Sequence, residues 1–162
     1  MLIILVSGLS CKKSRTPGSG NDLVEIYALK SYQLVQQKCQ VDPATAVLQD
    51  VPVISNDEII SYSRGNYLFA LTDGGKQDTE TFNTFHAFAV TVNKEVIYYG
   101  FYKPFTSSSS CDHSITMYIS FPSKNLVMNL GYPSPMPGIT IDDQRNNSKL
   151  LAALNAQGKL LF

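Results

Sequence analysis

Cys111, Asp112 and His113 are the one place in this 162-residue chain where a thiol, a carboxylate and an imidazole stand in succession. A thiolate beside an imidazole is the arrangement that covalent catalysis requires. On an extended backbone residues i and i+2 share a face, so Cys111 and His113 can point the same way while Asp112 points opposite. In cysteine enzymes, however, nucleophile and base come from separate elements, and no oxyanion-hole pattern accompanies this trio. The expectation is therefore a polar loop with a structural cysteine and no catalytic residue. The alternative is a thiol-dependent hydrolase or transferase using Cys111 and His113.

Other chemistry has less behind it. A metal centre needs three or four ligands, and His86 and His113 are the only histidines, with neither Cys-x-x-Cys nor His-Glu-x-x-His spacing. No metal or other cofactor is expected, and His86 is read as a satisfied histidine at the edge of the core. Gly74-Gly75 lacks both a Walker lysine and a dinucleotide-binding pattern. The acidic pairs Asp57-Glu58 and Asp142-Asp143 are read as helix-start acids that meet backbone amides and the helix dipole.

Aromatic residues offer a binding surface instead. Tyr98, Tyr99, Phe101, Tyr102 and Phe105 cluster beside Lys103, and tyrosine supplies rigid contact area with a polar tip. Strand alternation sets Tyr98 and Tyr102 opposite Tyr99 and Phe101, so at most one subset is exposed, and burial of both sets is the competing reading. The candidate binding residues are Tyr98, Tyr99, Tyr102, Ser110 and His113.

These residues need an address and a scaffold. An uncharged apolar run fills residues 1–9, too short for the roughly 20 residues of a membrane span but of signal-peptide length. It ends at Ser10-Cys11, followed by Lys12, Lys13 and Arg15, and this junction resembles a bacterial lipoprotein signal with Cys11 acylated. The resemblance implies a lipid anchor in the bacterial cell envelope, at the outer membrane or cell surface. Residues 11–22 are rich in Ser, Thr, Pro and Gly, the composition of a flexible tether. Residues 23–162 then form one domain, a size that buries roughly 68–70% of the unfolded surface. With 13 basic and 13 acidic residues the net charge is zero, so no nucleic-acid partner is expected. Cys39 and Cys111 are left either as a disulfide, which an oxidising envelope permits, or as two buried thiols.

Hydrophobic patterning predicts a single α+β domain, a mostly antiparallel sheet with short helices packed on it and a C-terminal helix. One strand falls within residues 23–34, and residues 41–50 fit neither period. Ser55 and Glu58 form a capping box that starts a short helix carrying Ile59 and Ile60. Residues 67–72, apolar on both faces, suit a central strand, and a second short helix is expected at 77–85 after a flexible Asp73-Gly74-Gly75. Residues 86–92 and 95–103 form a hairpin across Asn93-Lys94, large side chains on one face and Ala87 and Ala89 on the other, smooth enough for a helix. Residues 115–121 alternate as a strand with one wet face, 126–130 add another, and Pro133, Pro135 and Pro137 force an extended loop. A helix closes at 148–157 with Gly158 as its C′ residue, before an apolar tail.

Leu71-Thr72-Asp73-Gly74-Gly75 and the stretch from Phe88 through Asn93-Lys94 to Ile97 resemble the helix start and hairpin of the periplasmic head of the protein-export component SecD, and of small secreted proteins that share this module. The resemblance covers about a third of the chain and implies an α+β module, not export activity. Together these readings describe a membrane-anchored envelope lipoprotein, a non-catalytic binding or accessory module that meets its ligand or another envelope protein through the stretch from Tyr98 to Ser110.

Overall fold

The computed structural model describes residues 22–162; the signal segment, Cys11 and the tether up to residue 21 lie outside the described residues. In chain order the elements are β1 (Val24–Ser31), β2 (Val47–Leu48), β3 (Ile59–Ser63), β4 (Leu68–Leu71), α1 (Asp73–Asp78), β5 (Ala87–Val92), β6 (Glu95–Tyr102), β7 (Cys111–Ile119), β8 (Leu126–Tyr132), α2 (Ser148–Ala156) and β9 (Leu160–Leu161). All strands join one sheet in the order β2-β1-β5-β6-β7-β8-β4-β3-β9. Pairing is antiparallel except between β6 and β7 and between β3 and β9. The fold is α+β with a C-terminal helix, as the patterning predicts.

Two layers of side chains flank the sheet. On one face Phe88, Val90 and Val92 meet Ile115, Met117, Tyr62 and Phe69 under α2, which contributes Leu150, Ala153 and Leu154 at helical spacing. Asn147 caps that helix by accepting from the Lys149 amide at 2.9 Å, and Gly158, at φ +70°, ends it. On the other face a smaller cluster of Leu29, Val41, Ala87, Ala89, Phe101 and Cys111 forms. Each large side chain buried here contributes about 1.5–3 kcal/mol.

Several expectations are corrected by tertiary pairing. The Ser55–Glu58 capping box forms, the Glu58 carboxylate accepting from the Ser55 amide at 2.7 Å, but it closes only a 3-10 turn. Ile59 and Ile60 then enter β3, because strand pairing with β4 and β9 suits β-branched residues better than another helical turn. The second helix starts earlier than expected, since Thr72 accepts from the Gly75 amide at 3.2 Å and caps Asp73–Asp78; a 3-10 turn follows at Thr79–Asn83. Near one margin of the sheet β4 buries Phe69 and Leu71 but leaves Leu68 and Ala70 half-buried, so it is not covered on both faces. The smooth alanine face of β5 lies under a loop, not a helix; α2 sits on the large-residue face. The outward face of β7 is not wet throughout: Ser114 and Thr116 are buried, while Phe121 lies beyond the strand and is exposed. His86 precedes β5 and is exposed rather than core-edge.

The hairpin turn is as read: Asn93 and Lys94 both adopt positive φ, +53° and +64°. The tail pairs as β9 alongside β3.

Candidate functional site

Where β6 and β7 begin, the sheet opens. The two strands pair in parallel only where Gly100, Phe101 and Tyr102 meet Ile115, Thr116 and Met117. Earlier in each strand an irregularity bends the chain away. In β6, Tyr98 faces Val90 and Val96 faces Thr91, which leaves Ile97 as an extra, bulged residue. In β7, Cys111 faces Tyr132 and Ile115 faces Leu130, so residues 112–114 oppose the single Gly131. Between these bends lies a cleft of about 360 Å³.

One loop closes it from each face of the sheet. From the smaller cluster come Gln40, Val41 and Pro43; from the α2 side come Ile141, Asp142 and Gln144. The first loop is fixed by the disulfide between Cys39 and Cys111 and by Ser114, whose hydroxyl donates to the Cys39 carbonyl at 2.7 Å. The second is fixed by Arg145. Its guanidinium donates to both oxygens of Asp143 at 2.8 Å and to the Met128 carbonyl at 3.0 Å, and stacks 3.6 Å from the Tyr67 ring centre. Hydrogen bonding from Arg145 holds the Asp143 carboxyl below the usual carboxylate range. Asp142 and Asp143 thus serve this turn rather than a helix start: the Gln144 side-chain amide donates to Asp142 at 2.8 Å, and Asn147 caps α2.

Of the predicted binding residues, Tyr98, Tyr99 and His113 are brought together at the cleft. His113 is half-buried, its Nδ1 2.7 Å from Asp112, so the two neighbours meet through their side chains rather than pointing to opposite faces. Tyr102 is corrected to a core residue, 7% exposed and packed on Phe82, because it falls on the large-residue face of the sheet; Tyr98 falls on the same face, 5% exposed against Phe88, and lines the cleft from the core. Ser110 is exposed just before β7 and does not line the cleft. The predicted aromatic set does not form one surface among the described residues: Phe101 is buried, and exposed Phe105 packs on Tyr118 with centroids 4.6 Å apart. Cys111 carries no free thiol, since its sulfur is bonded to Cys39; the thiol-enzyme alternative loses its nucleophile in this state.

The electrostatics are mild except at one atom. Burial pushes the Tyr98 phenol far above its ordinary range, and its hydroxyl finds no hydrogen-bond partner among the described residues. Burial likewise raises Tyr99. Lys103, lowered by desolvation, donates to the Ser109 hydroxyl at 2.9 Å and ties down residues 103–110, fewer than the dozen or more usual for a parallel crossover. Among the described residues no three His, Cys, Asp or Glu side chains gather as a metal requires. No helix among them is long and apolar enough to cross a membrane.

Sequence reading missed Gln40, Ile97, Ile141 and Gln144, which come together only through the fold. The Cys39 and Cys111 pairing was the available signal for Gln40. Compared with protein-family models, curated proteins and solved structures, the chain has no significant match.

Proposed function

We propose that this chain is a non-catalytic binding module of the bacterial envelope, held there by a lipid on Cys11, and that its ligand occupies the β6–β7 cleft. The observation that carries this reading is the cleft itself: facing bulges open the sheet at one place, and two independently fastened loops wall it. Bulges that re-aim side chains are concentrated at functional sites, and a concavity that joins apolar walls to convergent polar groups is a common form of ligand site. Tyr99 and His113 supply its aromatic and imidazole contacts. The disulfide supports an oxidising compartment, and the sequence from Met1 to Lys13 supports the anchor.

The test is an amide chemical-shift map of the full chain titrated with a panel of peptides and non-peptide fragments. Saturable shifts confined to residues 96–99, 113–115 and 141–144, lost in Gln40→Trp, are expected; Gln40 is exposed, so its replacement fills the cleft without touching the core. If no compound shifts those amides, the cleft is not the binding site.

A further inference from the structure

We infer that the cleft takes an extended peptide, bound as an added strand along β6; this rests on the reading of the cleft as the ligand site. On one side β6 pairs with β5 along its length, from Glu95 against Val92 to Phe101 against Ala87. On the other side its ladder with β7 begins only at Gly100, so residues 96–99 have no β7 residue paired opposite them, and those among them whose backbone groups do not turn toward β5, as Tyr98 does opposite Val90, face the cleft. No side chain or loop backbone among the described residues hydrogen-bonds to that stretch from outside the sheet. Backbone amides and carbonyls demand partners, and an open strand edge is a template for another chain.

The outer margins of the sheet offer much less template. β2 and β9 are two residues long each, so neither presents a comparable ladder. The open stretch of β6 is about 13 Å long at about 3.3 Å per residue, room for three or four residues of peptide. The walls match such an occupant. Side chains of an added strand alternate between the two faces of the sheet, and the cleft offers Val41 and Pro43 on one face and Ile141 on the other. No lysine or arginine lines it, which disfavours phosphates and other multiply charged anions. Main-chain pairing supplies affinity, and the two apolar walls select small or medium aliphatic side chains at alternating positions.

The experiment uses the full chain, isotopically labelled, and a pooled library of acetylated tetrapeptide amides beside a panel of non-peptide fragments. Peptides should shift the amides of residues 96–99 and 113–115 and slow hydrogen exchange by at least about tenfold at those amides of 96–99 that do not already pair with β5. N-methylation of alternate residues in the best peptide should weaken it at least about tenfold, while methylation at the intervening residues changes it less than about twofold. Equal tolerance of methylation at every position would overturn the inference, because recognition would then lie in side chains alone. Fragments that shift the cleft amides when no peptide does would overturn it too, while leaving the cleft as a binding site. Silence at the cleft amides with every probe would remove both readings.

Discussion

Arg145 shows how much of this molecule depends on single side chains that touch no ligand. Buried to within 7% of full enclosure, it satisfies Asp143, the Met128 carbonyl and the Tyr67 ring at once, and its own carbonyl accepts from the Tyr62 hydroxyl at 2.8 Å. Arg145→Ala should cost about 2–3 kcal/mol by urea unfolding, since it leaves a buried carbonyl unpartnered and a carboxylate without its counter-charge. The pH dependence follows in sign. The folded pKa of Asp143 lies below its ordinary value of 3.8, so its contribution is complete above about pH 4 and is lost as pH falls through the lower folded value. Urea midpoints measured from pH 5 to pH 2 should therefore fall less steeply in Arg145→Ala than in the native chain. Tyr98 makes the opposite case. Its hydroxyl is buried without a partner among the described residues, and Tyr98→Phe should stabilise the protein by about 1 kcal/mol in the same assay. A lower midpoint would mean that the hydroxyl is satisfied in solution.

Among the elements, the junction of β6 and β7 is the most tightly specified. A Cβ at Gly100 would stand 2.5 Å from a Phe88 ring carbon and 2.6 Å from the Ile115 carbonyl oxygen, closer than real side chains approach. Gly100→Ala should cost about 1–3 kcal/mol and shift the amides of Ile115 and Thr116, because the crowding pushes β7 away just where its ladder starts. Removing the disulfide as Cys39→Ser with Cys111→Ser releases a loop of sequence separation 72 and should cost about 2–4 kcal/mol in thermal unfolding; an unchanged transition would show that the loop stays closed without it. Such elements were unequally legible in the sequence. The hairpin at Asn93-Lys94 and the helix ending before Gly158 announced themselves, because turn chemistry and helix capping are local. Ile59 and Ile60 did not: the capping box signals a helical start, and only pairing with β4 and β9 turns them into a strand. Tyr99 and His113 were found from residue type alone. The cleft that joins them was not, because bulges at Ile97 and at residues 112–114 are properties of register, which no single segment encodes.

For the molecule as a whole, the proposed anchor and the cleft are separable. Cys11→Ala should move the protein from the membrane pellet to the soluble fraction and abolish labelling by a palmitate analogue, with cleft binding unchanged within about twofold. Membrane retention and continued labelling of that variant would overturn the proposed attachment.

The directions of the strands carry one more implication. β1 and β6 both run antiparallel to β5, and β7 runs parallel to β6, so all three begin at the same end of the sheet. At that end the main chain emerges: the Gln157 side chain donates to the Asp22 carbonyl at 2.6 Å, and the Leu23 amide donates to Asn93. The cleft opens there too. A lipid on Cys11, as proposed, would thus join the domain at the end that holds the cleft, favouring ligands already displayed at the bilayer surface over bulky ones arriving from the bulk phase.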